Sequence, residues 1–119
     1  MRLTGADVVL VGYFSAKEKN FVALMDAAAE ELTARGARIV GRITQRRGVS
    51  DGGARKMTVP YSSRTLLSSG KVLEVAARCE ETEADLVVFA TALTHRQQHV
   101  LTEIFDRPTV SLAAITADG

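Results

Sequence analysis

A chain of 119 residues with 46% apolar residues has the size of one domain and can bury a core without staples. A formal charge of +1 argues against a protein that grips nucleic acid over its whole surface, though it leaves room for a local basic patch. The one cysteine, Cys79, excludes an intrachain disulfide. The apolar N-terminal run is too short to span a membrane and lacks a signal cleavage site, so a cytoplasmic protein without a membrane partner is expected.

In chain order, "DVVLVG" (7–12) is a continuous β-branched run, the pattern of a strand buried on both faces. Ser15 and Glu18 have capping-box spacing and are expected to open a helix. Phe21, Leu24, Met25, Ala28 and Leu32 would form its apolar stripe, and Gly36 would end it. "ARIVGRIT" (37–44) reads as a second strand, with Ile39 and Ile43 on one face and Val40, Arg42 and Thr44 on the other. Residues 48–63 read as a long loop, and "RTLL" (64–67) as a short additional strand. A second helix starts near Ser69, with Val72, Val75, Ala76 and Cys79 on one face. "DLVVFA" (85–90) is a third buried strand. Thr94 and Gln97 form a second capping-box pair, opening a helix whose apolar face is Leu101 and Ile104 with Val100. After Pro108, "TVSLAAI" (109–115) is the fourth main strand.

The order β-α-β-β-α-β-α-β predicts a single α/β domain: a mostly parallel sheet of four main strands with helices on both faces. Ligands of such sheets bind outside the carboxyl ends of the strands. The candidate surface is therefore Gly12–Ser15, Gln45–Gly48 and Ala90–Thr94.

Three short motifs invite chemistry, and two lose to plain readings. "SSGKV" (68–72) suggests a phosphate loop, but Thr65 stands where the first Gly should be and Val72 where a Mg²⁺-binding hydroxyl should be. A glycine turn into a helix is the better account. "HRQQH" places His95 and His99 one turn apart, but Arg96 replaces the zincin Glu and no third ligand suggests itself, so no metal is expected. No nucleophile has a recognisable base, and no cofactor is implied.

The third motif is the basic segment. Between Gly41 and Lys71 stand Arg42, Arg46, Arg47, Arg55, Lys56, Arg64 and Lys71 against the single acid Asp51. This stretch is net +6, which leaves −5 for the rest of the chain. A solvated loop is the plain reading. The functional one is a phosphate-contacting patch of Arg forks and exposed Gly backbone. Tyr61 is the one aromatic nearby, which favours backbone or shape recognition over stacking on single strands.

"VGRITQRR" (40–47), "TLLSSGKVLEV" (65–75) and "EADLVVFATALTHRQQHVL" (83–101) resemble, in order, the N-terminal domain of HflX-type GTPases. The matching positions are Gly41, Arg42, Thr44, Gln45, Arg46, Arg47, Gly70, Lys71, Asp85, Phe89, Leu93, Gln97, Gln98 and Leu101. The resemblance implies a domain that works on the large ribosomal subunit. In the family it precedes a helical linker and a GTPase domain, whose phosphate loop and guanine motif are not in this chain. The copy is divergent. The acids after the third strand are replaced by Ala90, Thr91 and Ala92, a turn glycine by Ser68, and a proline by His95. The family's Asp-Arg-Thr is missing near Ser111–Ala113, which leads us to expect a free-standing domain over residues 1–119.

The expectation is a non-catalytic module that contacts ribosomal RNA or other structured RNA. Its contact residues would be Arg42, Gln45, Arg46, Arg47, Arg55, Lys56, Arg64 and Lys71, with the loop from Gly48 ordering on binding. The alternatives are a regulatory module that forms a homodimer or docks on a separate GTPase, and a nucleotide-binding protein using the Gly70–Lys71 turn.

Overall fold

The computed structural model describes residues 3–15, 17–47 and 66–117. Four strands, β1 (Asp7–Ser15), β2 (Arg38–Arg47), β3 (Leu86–Phe89) and β4 (Thr109–Ser111), form one sheet. Every pairing is parallel, and the strand order is β2-β1-β3-β4. Helices α1 (Phe21–Ala34) and α4 (Leu112–Ala117) cover one face, and α2 (Ser69–Thr82) and α3 (His95–Phe105) the other. The single α/β domain expected from the alternation of elements is therefore the fold observed.

The central strands explain the two layers. Val8 and Leu10 point into the α1/α4 core with Met25, Ala28, Leu32 and Val88. Val9 and Val11 point into the α2/α3 core with Val75, Cys79, Phe89, Leu101 and Phe105. A strand buried on both faces must be apolar at successive positions, which is why 8–11 is an unbroken aliphatic run. Gly36 makes the turn into β2 with φ +96°. A side chain there would stand 2.9 Å from the Thr4 backbone, so glycine is required twice over.

Several local expectations need correction. The first helix starts not at a Ser15–Glu18 capping box but at Phe21, after Asn20. β1 runs on to Ser15, whose hydroxyl accepts from the Lys17 N–H instead, while the Glu18 carboxylate accepts from the Asn20 N–H. In β2, Ile39 and Ile43 lie on opposite faces, because Val8 pairs with Ile39 but Val9 with Gly41. Val40 is the extra residue of a bulge, and one extra residue reverses the alternation beyond it. Past the bulge, Gly41, Ile43 and Gln45 face α2, while Arg42, Thr44 and Arg46 face α1.

Residues 64–65 lie outside the described residues; Leu66 and Leu67 form a bend, not a strand, with Leu66 at φ 71°. On α3 it is Phe105 that joins Leu101 in the core, and Ile104 is exposed. The last apolar run is a strand over three residues only. Leu112 onward is helical and buries Ile115 against the α1 side, an outcome that a short apolar run rich in alanine leaves open.

Candidate functional site

In a parallel sheet of order β2-β1-β3-β4 the topological switch lies between β1 and β3, and a ligand crevice is expected outside their carboxyl ends. Here that gap is bridged. The Thr91 hydroxyl donates to the Tyr13 carbonyl at 2.9 Å and accepts from the Tyr13 N–H at 3.0 Å. Ala90 N–H adds a bond to the Val11 carbonyl. The loop after β3 is thereby stitched to β1.

β1 does not stop where β3 stops. Phe89 pairs with Val11, yet β1 continues through Gly12–Ser15, paired with Thr44–Arg47 of β2. At about 3.3 Å per residue this ribbon extends roughly 13 Å beyond the end of β3. A side chain on Gly12 would meet the Met25 sulfur and the Phe14 ring at 2.5 Å, so the glycine lets α1 lie close against the ribbon.

At the end of β2, Arg42 and Arg46 lie on the α1 face of the ribbon and Gln45 on the other. Arg42, toward α1, makes an ion pair with Asp26 at 2.7 Å. Arg46, on the same face, places its guanidinium 4.5 Å from the Phe21 ring centroid, and Phe21 in turn meets Phe14 at 6.2 Å. The cation–π contact fixes the arginine beside the first residue of α1. Gln45 faces the other way, and its Oε1 accepts from the Ser68 N–H at 3.0 Å. That bond ties β2 to the start of α2, where the Ser68 hydroxyl accepts from the Lys71 N–H as N-cap. The Lys71 ammonium pairs with Glu74 at 3.0 Å.

Arg47 closes the strand by its backbone. Arg55, Lys56, Arg64 and the loop from Gly48 expected to order on binding lie outside the described residues. The fold thus brings Arg42 and Arg46 together on one side of the rim, and Gln45 and Lys71 together on the other. Reading the sequence missed the contacts of Phe21 with Arg46 and of Asp26 with Arg42, and it placed Thr91 on the candidate surface without its bonds to Tyr13.

The other motifs take structural places. Val72, at the position of a metal-binding hydroxyl, points into the core, and Gly70 borders open space. His95 and His99 are exposed, with His99 beside Glu103 at 3.4 Å. Among the described residues no three His, Cys, Asp or Glu side chains gather as a metal site would require. Cys79 is buried, and burial pushes its thiol above the ordinary 9.0 despite the nearby Arg107. Between α1 and α4 lies an open groove of about 320 Å³, lined by Phe14, Leu24, Ala28 and Leu112 with Glu31 at its edge. Among the described residues no helix is long and apolar enough to cross a membrane.

No curated protein matches the chain. A protein-family model described as GTP-binding GTPase N-terminal matches residues 23–112, from the first turn of α1 to the start of α4. That stretch contains most of the fold and the whole basic end of β2. The chain therefore belongs to the family of N-terminal domains of HflX-type GTPases.

Proposed function

We propose that this domain is a non-catalytic binding module for structured RNA, with ribosomal RNA of the large subunit as its target and residues 1–119 acting without a GTPase domain among them. The observation that carries the reading is the ribbon. Its Gly12–Ser15 and Thr44–Arg47 segments extend past the rest of the sheet and carry Arg46 and Arg47 at the end of β2. An arginine held at a projecting edge, as Arg46 is beside Phe21, suits phosphate contact, since a guanidinium fork offers paired donors to phosphate oxygens. The bridging of the β1–β3 gap by Thr91 also favours an outer-surface contact over a small ligand held in a crevice. The nucleotide reading at Gly70–Lys71 has less support, because Lys71 is paired with Glu74 and Val72 is turned inward.

The test is sedimentation of the purified protein with large ribosomal subunits over a series of salt concentrations. Binding at low salt that falls steeply as salt rises is expected, because released counterions dominate phosphate contacts. A protein that stays in the supernatant at every salt concentration would show the proposal to be wrong. A second reading, docking on a separate GTPase, is favoured by the apolar groove between α1 and α4. It predicts that substitution of the groove residue Leu24 by Asp abolishes recovery of a GTPase partner and leaves sedimentation with subunits unchanged.

A further inference from the structure

The two faces of the sheet are unequally covered. Helices α2 and α3 bring 14 and 11 residues to one face, α1 and α4 bring 14 and 6 to the other. At a rise of ~1.5 Å per residue, α4 spans only about 9 Å. A parallel sheet is ordinarily covered on both faces. Yet Phe14, Ala90 and Leu112 stay partly exposed in the groove of about 320 Å³ between α1 and α4.

The outer side of α1 is also poor in charge. Only Asp26, Glu30 and Glu31 are charged in this helix, and Val22 and Leu24 are 56% and 45% exposed. A surface helix normally turns a polar face to water. Ala23, Ala27 and Glu30 follow at i, i+4 and i+7 and form the outer crest. Asp26 is taken up by Arg42 and Glu31 by Arg35. Glu30, and Lys19 about one turn before Ala23, are exposed and have no ion pair among the described residues.

Antiparallel packing of this crest on the crest of a second copy accounts for these features together. Ala23 meets Ala27 of the second copy, and two small residues let the backbones approach closely. Lys19 then comes to Glu30 of the second copy, and by symmetry Glu30 to Lys19. The two charges are separated by roughly 16 Å along the helix, with the alanines between them. The twofold axis lies across the helices, so the α4 side of one copy covers the α4 side of the other, and Leu24 of each faces the other's groove. Parallel packing would instead set Glu30 against Glu30 and Lys19 against Lys19, which like charge disfavours.

We propose that the α1/α4 face is the interface of a homodimer, in which two α1 helices pack antiparallel through Ala23 and Ala27, close the grooves with Leu24, and exchange Lys19–Glu30 ion pairs. This inference is independent of the RNA-binding reading and gives the groove to a second copy of the chain, not to a separate GTPase.

Sedimentation equilibrium and light scattering of the purified protein test it, with melting curves to show that each variant is folded. The parent should be a dimer. Leu24→Asp should weaken the dimer by more than about a hundredfold, because association would bury an unpaired charge in the interface. Its melting curve should stay cooperative, since Leu24 is half-exposed in the single copy. Lys19→Glu and Glu30→Lys each set like charges at both symmetric contacts and should weaken the dimer by about tenfold, more at low salt. The double variant Lys19→Glu/Glu30→Lys exchanges the two charges and should return to within about threefold of the parent. A parent that stays monomeric up to about 1 mM would overturn the proposal, as would a dimer that Leu24→Asp leaves intact. Single variants as strongly dimeric as the parent, or a double variant no better than the singles, would overturn the antiparallel pairing and the proposal with it. A monomeric parent that recovers a GTPase, with recovery lost in Leu24→Asp, would assign the groove to that partner and overturn the homodimer.

Discussion

Replacing Thr91 by Val keeps the shape of the side chain and removes the hydroxyl that joins the β3–α3 loop to β1. Two hydrogen bonds are lost together, at 2.9 and 3.0 Å, and the Tyr13 N–H and carbonyl are left without that partner. Each such bond contributes a net ~0.5–1.5 kcal/mol, with a further cost when a buried group goes unpaired. The site is half-buried, so water can reach part of it, and the expected loss is about 1–2 kcal/mol. For a domain of this size that corresponds to a melting temperature lower by roughly 4–8 °C. Urea denaturation gives the free energy, and amide hydrogen exchange gives the location. Exchange at the Tyr13 amide should accelerate, whereas the Val9 and Val11 amides, in the stretch of β1 paired with β3, should keep their protection. Thr91→Ser, which retains the hydroxyl, should restore most of the loss. A Thr91→Val protein melting within about 1 °C of the parent, with unchanged Tyr13 exchange, would refute the claim that this hydroxyl holds the ribbon to the sheet.

Two further substitutions probe the core. Leu101→Ala removes a fully buried side chain from the α2/α3 layer and should cost about 2–5 kcal/mol by chemical denaturation; a loss below about 1 kcal/mol would mean the layer is loosely packed. Cys79 is held neutral by burial, so the folded protein has the raised thiol pKa and binds the proton more tightly than the unfolded chain. Its contribution to stability is complete below the ordinary value of 9.0 and is lost as pH rises above it. Cys79→Ala should therefore show a shallower fall in stability above that pH than the parent, and parallel curves would refute the assignment. In the same way, the native thiol should resist alkylation at pH 8 and react after unfolding.

The fold was legible because its strongest signals are local. Val8–Val11 and Leu86–Phe89 could only be strands buried on both faces, and Thr94 with Gln97 forms the capping box their spacing announced. The failures have a common cause, the dependence of local structure on distant partners. The bulge at Val40 is a matter of register against β1, and nothing in "ARIVGRIT" marks it. Ser15 and Glu18 had the spacing of a helix cap, but pairing with β2 kept Ser15 in the strand. The run from Leu112 to Ile115 suits strand or helix alone, and the α1 face decides it. At the site, the arginines of β2 were visible as a charge run. The placement of Arg42 and Arg46 on the α1 face, and the neutralisation of Arg42 by a carboxylate sixteen residues away, required the structure.

The central claim, that the end of β2 contacts RNA phosphates, is tested most directly by the salt dependence of subunit binding in Arg46→Ala/Arg47→Ala. Arg46 contributes a cation–π contact of about 0.5–1 kcal/mol to the fold, so the double variant should remain folded with a melting temperature only a few degrees lower. Its affinity for large ribosomal subunits at low salt should fall by more than about tenfold, and the slope of log affinity against log salt should flatten by about two. An unchanged affinity and slope would contradict the account and leave the basic strand end a solvated edge of the sheet.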